Sequence, residues 1–461
     1  MNRVDSATSD QGWKQKAIRP ERVMAAGFLA LIVAGGLLLS LPIATVDRQS
    51  IGLFNGLFTA TSAVCVTGLV VVDTGPTFSL FGQCVLMALI QTGGLGFMIF
   101  ATLVMLALGR RVSLRDRMMI RESMNATTLS GLIRLTLWYG GLALGIELIG
   151  AALLSIRFVP ALGWGRGIYY GVFHSISAFC NAGFDLFGNY ASLTGFAQDP
   201  LVVLTIAMLI ILGGLGFSVL FEAVHCMGAP RRLSLHTRLV LGMTLLLLVV
   251  GTLFYLVLEW NNPATLGAEG MGIGGKVMNA FFQSVTMRTA GFNTVDLAGM
   301  REASKLMSVI LMFIGASPAS TGGGVKTTTV SLLILLVLSV IRGQDEVNVM
   351  KRRLPADLMR RALVILVISL VVVLVGTMVL TVAEREEKDF LDLLFEGMSA
   401  FGTVGVSAAG TPTLSPVSKA TLIPMMYLGR VGPLTLALAL AHKSTATQKH
   451  LRYPEEKIMI G

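Results

Sequence analysis

The sequence has 461 residues, of which 54% are hydrophobic and 13% are charged, whereas an ordinary soluble domain is about 25% charged. Its 36 Lys and Arg against 26 Asp and Glu give a formal net charge of +10, which in so apolar a chain indicates basic cytoplasmic loops and not a nucleic-acid surface. This composition excludes a soluble enzyme and favours a protein that lies mostly in the bilayer.

Eight long apolar stretches predict eight transmembrane helices, because about 20 apolar residues cross the ~30 Å hydrocarbon core of a bilayer. In chain order they are Val23–Pro42, Phe78–Leu108, Leu132–Ile156, Leu201–Val224, Leu239–Leu258, Leu306–Val340, Ala362–Val382 and Ala420–Leu440. The first stretch has no signal-peptide cleavage site, so we expect it to be a retained span.

A shorter apolar segment, too short to cross a bilayer, lies between the two spans of each successive pair. The four segments share a phenylalanine ten residues before a glycine, at Phe58–Gly68, Phe173–Gly183, Phe281–Gly291 and Phe395–Gly405. Four copies at corresponding places predict an internal repeat of span, re-entrant pore loop and span. The alternative is that these glycines only allow close helix packing, which leaves their common register unexplained.

The basic residues predict the orientation of the repeats. A unit of two spans returns the chain to its starting side, so all four pore loops enter from one face and can meet on one axis. Most of the 36 Lys and Arg lie in the N-terminus, in the loops that join successive units and in the C-terminal tail. The positive-inside rule therefore predicts cytoplasmic termini and pore loops that enter from outside.

The predicted fold is an all-α integral membrane protein with four span–pore loop–span repeats around one pseudo-fourfold pore. The predicted repeats are 23–109, 132–227, 239–341 and 362–441. The predicted cytosolic segments are the N-terminus 1–22, the loops 110–131, 228–238 and 342–361, and the tail 442–461.

The end of each pore loop is the candidate binding site. Non-helical backbone at membrane depth is tolerated where it lines a water-filled cavity, and a ring of backbone carbonyls can replace the hydration shell of a cation. Glycine suits such a ring because it adopts φ angles that other residues avoid. The predicted cation filter consists of Val66, Thr67, Gly68, Asn181, Ala182, Gly183, Thr289, Ala290, Gly291, Thr403, Val404 and Gly405.

The sixth span is interrupted between Gly315 and Thr329 by small residues, a proline and a glycine triplet, which disfavour continuous helix. A nucleotide-binding P-loop needs lysine directly after glycine, whereas Val325 separates Gly324 from Lys326. Two interpretations stay open: a flexible intramembrane loop, and a helix break filled by neighbouring helices.

Charged residues inside apolar stretches are costly and normally face a water-filled cavity or a partner. Arg430 lies in the eighth span, and Glu147 in the third span requires a buried donor that the sequence does not identify. Glu222 and Glu396 also lie within or near apolar stretches. The four cysteines and five histidines lack metal-ligand spacing, and no acid, base or nucleophile set resembles an enzyme site, so we predict a protein that is not an enzyme.

The repeated unit with one glycine in each pore loop resembles the Trk/Ktr/HKT superfamily of potassium transporters over essentially the whole chain. Eight spans and a short N-terminus make it more similar to the bacterial Ktr-type membrane subunit than to the longer Trk subunit. The segments that carry this resemblance are Gln91–Met98, Leu212–Ser218, Phe313–Val330, Tyr427–Leu436 and Arg452–Lys457.

The resemblance implies channel-like translocation of potassium across the bacterial plasma (inner) membrane, stimulated by sodium and without a covalently bound cofactor. It implies a homodimer and a cytosolic regulatory ring that binds ATP or ADP and docks on the basic inner face. The remaining alternative is a cation-coupled secondary transporter with a midplane ion site, but such folds commonly use inverted repeats, and the predicted units run parallel.

The resemblance also implies a gate, an intramembrane loop at 315–328 that closes the pore below the filter. Arg430 would lie beside this loop and either repel cations or anchor the loop. The implied gate residues are Gly315, Ala316, Ser317, Pro318, Ala319, Ser320, Thr321, Gly322, Gly323, Gly324, Lys326 and Arg430.

Overall fold

Helices dominate the part of the chain that the computed structural model describes, which comprises residues 20–108, 112, 117–118, 131–226, 233–344, 346–385 and 387–440. The predictions for the N-terminus before Pro20, for nearly all of the loop at 110–131, for residues 227–232 and for the tail at 442–461 lie outside the described residues.

The element order repeats four times along the chain. The first unit contains α1 (Pro20–Leu39), the pore helix α2 (Leu53–Val64), α3 (Thr74–Thr77), α4 (Leu80–Leu95) and α5 (Phe97–Ala107). The second contains α6 (Leu132–Leu162), the pore helix α7 (Trp164–Phe179), α8 (Pro200–Leu215) and α9 (Phe217–His225).

The third and fourth units follow the same order. The third contains α10 (Leu235–Glu259), the pore helix α11 (Ile273–Thr286), α12 (Glu302–Phe313) and α13 (Thr327–Ile341). The fourth contains α14 (Ala356–Glu384), the pore helix α15 (Phe390–Gly402), α16 (Pro416–Val431) and α17 (Pro433–Leu440). A small antiparallel hairpin joins them, with β1 (Asn348–Val349) paired to β2 (Arg352–Arg353).

The first helix of each unit is a single continuous helix long and apolar enough to cross a bilayer. The pairs α4/α5 and α8/α9 also pass that test when each pair is taken as one span, which gives up to six such spans in the described residues. Large apolar side chains face outward from the long helices, and Val257 is 78% exposed. Such surfaces are compatible with lipid and not with water.

The second span of each unit is broken, although the sequence predicted a break in the sixth span alone. The two pairs α4/α5 and α8/α9 bend by 109° and 99°. The breaks in the second, fourth and eighth spans lie at Gly96, Gly216 and Gly432, with φ angles of 84°, 94° and 91°. This left-handed region suits glycine and cannot continue a right-handed helix. The residues on both sides of these glycines are apolar, so the hydropathy pattern stays continuous and does not reveal the change in backbone conformation.

Buried phenylalanines fix the pore helices in the core. Phe58, Phe173 and Phe395, which begin three of the repeated segments, are almost completely buried. In the third segment Phe282 is the fully buried residue, and Phe281 of the sequence pattern is only half-buried. Within a bilayer such burial adds van der Waals contacts, and it is not a transfer from water. Each pore helix is therefore held by the packing of its own phenylalanine.

Candidate ion pathway

Four backbone turns with one shared conformation follow the four pore helices. We call residues 66–68, 181–183, 289–291 and 403–405 the four turns. The first residue of each turn has a positive φ, 56° at Val66, 59° at Asn181, 71° at Thr289 and 51° at Thr403. The final glycines have φ angles of 69° to 96°. Positive φ is uncommon for residues other than glycine, so its recurrence at four equivalent positions marks one backbone geometry used four times.

The glycines of the four turns converge on one ring. A Cβ added to Gly183 would lie 2.6 Å from the Cα atom of Gly291. A Cβ added to Gly405 would lie 2.8 Å from the Cα atom of Gly68. No real side chain makes such contacts with backbone, so the four turns are in van der Waals contact only because these positions are glycine.

Carbonyl oxygens meet at the same ring. A Cβ added to Gly68 would lie 2.5 Å from the carbonyl oxygen of Ala182, and one added to Gly291 would lie 2.8 Å from that of Val404. Thr67 and Ala290 place their carbonyl oxygens beside the neighbouring glycines in the same way. The middle residue of every turn therefore contributes one carbonyl oxygen to the ring. Such a ring of oxygen ligands can replace the hydration shell of a cation.

Hydroxyl side chains near the ends of the pore helices hold the turns. Ser62 and Ser399 accept hydrogen bonds at Oγ from the backbone N–H groups of Gly68 and Gly405, each at 3.0 Å. Ser177 Oγ donates to the carbonyl oxygen of Phe184 at 2.7 Å. The first two contacts engage the amides of the glycines in the first and fourth turns, and the third holds the residue that follows the second turn.

The residues that follow the four turns line a cavity of about 400 Å³, here the outer cavity because it lies on the predicted extracellular side. The ring glycines and three carboxylates, Asp73, Asp185 and Asp296, line it. Desolvation raises the pKa of Asp185 to about 6, and the nearby charge of Asp73 adds to this rise. A hydrogen bond from the backbone N–H of Phe187, at 3.0 Å, opposes it.

A second cavity of about 430 Å³, the inner cavity, shares no lining residue with the first. It is lined by glycine-rich ends of the broken spans and by part of the 315–326 loop, including Ser320, Gly322, Gly324 and Lys326. Arg430 also lines it. The four turns and the loop thus lie between an outer cavity lined by three aspartates and an inner cavity lined by two basic side chains, Lys326 and Arg430.

The loop between α12 and α13 lies directly against the third and fourth turns and against the end of the second pore helix. The backbone N–H of Gly323 donates to Thr403 Oγ1 at 3.1 Å, and Thr321 Oγ1 donates to the carbonyl oxygen of Phe179 at 3.1 Å. Gly322 lies so close to Thr289 that a Cβ at this position would overlap Thr289 Oγ1. The loop therefore contacts three of the four units at the inner side of the ring, which favours an intramembrane loop over a filled helix break.

Arg430 holds this loop to the first unit. Its guanidinium donates to the carbonyl oxygens of Thr321 and Gly93, and to that of Gly94 at 3.2 Å. Lys326 Nζ donates to the carbonyl oxygen of Gly322 at 2.7 Å. Arg430 could repel cations or anchor the loop. This geometry favours the anchor, because both terminal guanidinium nitrogens donate to backbone carbonyl oxygens.

The structure brings together the turn residues and the loop residues named from the sequence. Sequence reasoning missed Gln91, which is the partner of Glu147, and the three aspartates of the outer cavity. Gln91 is a polar residue in an apolar span, which is a signal that could have been used. Glu396 supports the loop after the fourth turn by accepting from Ser407 Oγ at 2.7 Å.

Comparison with known proteins agrees with this architecture. A family model described as TrkH, cation transport protein, matches residues 6–449. The Ktr system potassium uptake protein B of Bacillus subtilis is 42% identical over 96% of this chain and 97% of its own length. The potassium/sodium uptake protein NtpJ of Enterococcus hirae is 36% identical over 97% of this chain and 98% of its own length.

The solved structure of the potassium transporter TrkH from Vibrio parahaemolyticus matches with a TM-score of 0.71. The match covers 93% of this chain and 86% of that one at 19% identity, so it supports the fold alone. The predicted all-α membrane fold and the resemblance to Trk/Ktr-type membrane subunits are thereby confirmed. The chain belongs to the TrkH family of cation transport proteins.

Proposed function

We propose that the protein conducts potassium ions across the bacterial plasma membrane through the ring of carbonyl oxygens at the four turns. The observation that carries this proposal is the closed ring itself, in which each unit contributes one glycine and one carbonyl oxygen between two cavities. Potassium is the proposed ion because relatives at 36–42% identity carry potassium uptake in their names.

The loop between α12 and α13 is the proposed gate. It lies between the ring and the inner cavity, and its contacts to Thr403, Phe179 and Arg430 hold it across the pathway. Flexible glycine-rich backbone can leave such a position without breaking a helix. Movement of this loop would join the ring to the inner cavity, while Arg430 would lose its contact with Thr321.

Regulation by partners is part of the proposal. The relative from Bacillus subtilis is named a component of a Ktr system, so we propose a homodimer that docks on a cytosolic ring binding ATP or ADP. We also propose stimulation by sodium. The exposed arginines of the β-hairpin and α14, among them Arg353 and Arg360, supply a basic face for that ring.

A complementation experiment tests the function. A bacterium that lacks its own potassium uptake should grow at low potassium when it makes this protein together with a Ktr-type cytosolic subunit. A variant with Gly405→Ser at the same membrane content should rescue growth poorly when the medium contains a large excess of sodium over potassium, because it is expected to lose selectivity. No rescue by the unchanged protein, although it is present and folded in the membrane, would contradict the proposal.

The Asp185 carboxyl in the outer cavity predicts that cation uptake depends on the external pH. With a pKa near 6, the Asp185 carboxylate is charged above that pH and neutral below it, so its attraction for cations is present at pH 7.5 and lost as the pH falls through 6. Uptake at low external potassium should therefore fall roughly two- to tenfold between pH 7.5 and 5, because focused charge raises cation association rates by about tenfold or more.

Asp185→Asn is the control for this effect. The variant should show the low uptake rate already at pH 7.5 and little change down to pH 5. Rubidium uptake measured at low ionic strength reports the effect best, because salt screens the attraction between the cavity carboxylates and cations in solution. A variant that keeps the full pH dependence of the unchanged protein would assign the titration to another group.

A further inference from the structure

Glu147 is a buried carboxylate that the conduction pathway does not use directly. It lies at the middle of α6, within a span, and is only 4% exposed. A carboxylate at such a depth is costly unless polar partners compensate for its desolvation. Its retention in an otherwise apolar helix therefore calls for a specific role.

Glu147 and its two partners, Gln91 and Cys180, each contact the other two. Gln91 Nε2 donates to both carboxylate oxygens, at 3.0 and 3.2 Å. Cys180 Sγ lies 3.9 Å from Glu147 Oε1 and 3.5 Å from Gln91 Oε1. Gln91 belongs to the first unit, whereas Glu147 and Cys180 belong to the second. We call these three residues the brace.

The brace is attached to the second turn. Cys180 is fully buried and directly precedes Asn181, whose positive φ starts the turn that carries the ring carbonyl of Ala182. The equivalent residue before the first turn is also a cysteine, Cys65, whereas Arg288 and Gly402 precede the third and fourth turns. Among the described residues, contacts of this preceding residue with a buried glutamate and glutamine are found for Cys180. The pore helix is tied to α6 as well, because Ser175 Oγ donates to the backbone carbonyl of Glu147 at 2.6 Å.

The brace also lies next to the gate anchor. Gln91 precedes Gly93 and Gly94, whose carbonyl oxygens accept hydrogen bonds from Arg430. A Cβ added to Gly94 would lie 2.6 Å from Cys180 Sγ, so this end of α4 packs tightly on the start of the second turn. A shift of the three brace residues would therefore move the start of the second turn and, with it, the ring carbonyl of Ala182.

We propose that Glu147, paired with Gln91, is a positioning residue for ion selectivity. This inference rests on the proposed function of the ring. Glu147 does not touch the ion; it fixes Cys180 and thereby the backbone from Asn181 to Gly183. Discrimination between potassium and sodium depends on the placement and field strength of the ring carbonyls, and a functional shell needs supporting side chains that hold it in place.

Three variants test the pairing. Glu147→Gln leaves two amides facing each other, and Gln91→Glu leaves two carboxyl groups facing each other. Each should lower the potassium-to-sodium permeability ratio by at least about threefold, because the contact of one amide with both carboxyl oxygens is lost and the second turn is no longer held in place. The double variant E147Q/Q91E restores one carboxylate and one amide, and should return the ratio to within about twofold of the unchanged protein.

Glu384→Gln is the matched control. Glu384 is 5% exposed on the first helix of the fourth unit, where it accepts hydrogen bonds from Ser415 and Ser418 at the start of α16. Within the described part of the chain, these hydrogen bonds involve no residue of a turn or of the loop. Its replacement should lower the unfolding temperature while the permeability ratio stays unchanged, which is the pattern expected of a purely structural carboxylate.

The readout is the reversal potential of proteoliposomes with potassium on one side and sodium on the other, with thermal unfolding in parallel. Folded E147Q and Q91E proteins with the unchanged ratio would overturn the inference, as would a double variant that is no better than the single ones. If the charge variants do not fold, Cys180→Ala decides, because an unchanged ratio in that variant also overturns the inference. Absence of potassium current in the unchanged protein would instead refute the proposed function.

Discussion

Serine at Gly405 should abolish most of the selectivity for potassium over sodium. The glycine has a φ of 93°, and an added Cβ would lie 2.8 Å from the Cα atom of Gly68 and closer still to the carbonyl oxygen of Thr67. The ring must then open on one side. Its carbonyl oxygens therefore no longer replace the hydration shell of potassium better than that of sodium. We expect the permeability ratio to fall roughly tenfold or more, equivalent to ~1.4 kcal/mol of lost discrimination.

Gly68→Ser should act in the same way, because its Cβ would lie 2.5 Å from the carbonyl oxygen of Ala182. Gly141→Ser is the matched control, since Gly141 lies on α6 with ordinary helical φ and open space within 4 Å of its added Cβ. Rubidium and sodium fluxes in proteoliposomes measure the ratio. Folded ring variants that retain the ratio of the Gly141 control would mean that the ring glycines serve packing alone.

Replacing Arg430 with alanine should raise the basal potassium flux. The guanidinium joins the loop to α4 through the carbonyl oxygens of Thr321, Gly93 and Gly94. A hydrogen bond to a charged group contributes about 1.5–3 kcal/mol, and ~1.4 kcal/mol shifts an equilibrium tenfold. Loss of the anchor should therefore increase the flux roughly tenfold, and it also removes one cation from the inner cavity.

Deletion of residues 317–323 is an independent variant for the same prediction, because it removes the segment that contacts Thr403 and Phe179. Arg157→Ala is the control, since the ion pair of Arg157 in the described structure is with Asp199, before the start of α8, and involves no residue of the loop. Rubidium uptake without a cytosolic partner is the measurement. A folded Arg430 variant with unchanged or lower uptake would contradict a closing role for the loop.

The repeat was the part of the fold that the sequence could predict. A phenylalanine and a glycine at constant spacing in four segments identified the pore helices and turns, because burial and positive φ each restrict the residue type strongly. The third segment departs in detail, with Phe282 buried in place of Phe281. One position along a helix rotates a side chain by about 100°, and neighbouring contacts decide which of two adjacent phenylalanines faces the core.

The brace and the outer carboxylates could not be predicted in the same way. Glu147 and Gln91 are 56 residues apart, and their pairing depends on how the first and second units pack. The sequence indicated only that Glu147 needs a donor. Asp73 and Asp296 each stand five residues after the glycine of their turn, whereas Asp185 stands two residues after Gly183 and the fourth turn has Gly410 at the fifth position. The spacing therefore marks only two of the three carboxylates that line the cavity.

The reversal potential of the unchanged protein in proteoliposomes tests the central claim most directly. With its cytosolic partner present, we expect an electrogenic potassium current whose reversal potential moves by close to ~59 mV for each tenfold change in the potassium gradient, the value for one charge. A reversal potential that does not follow potassium, or strictly coupled exchange without current, would contradict conduction through the ring of four turns.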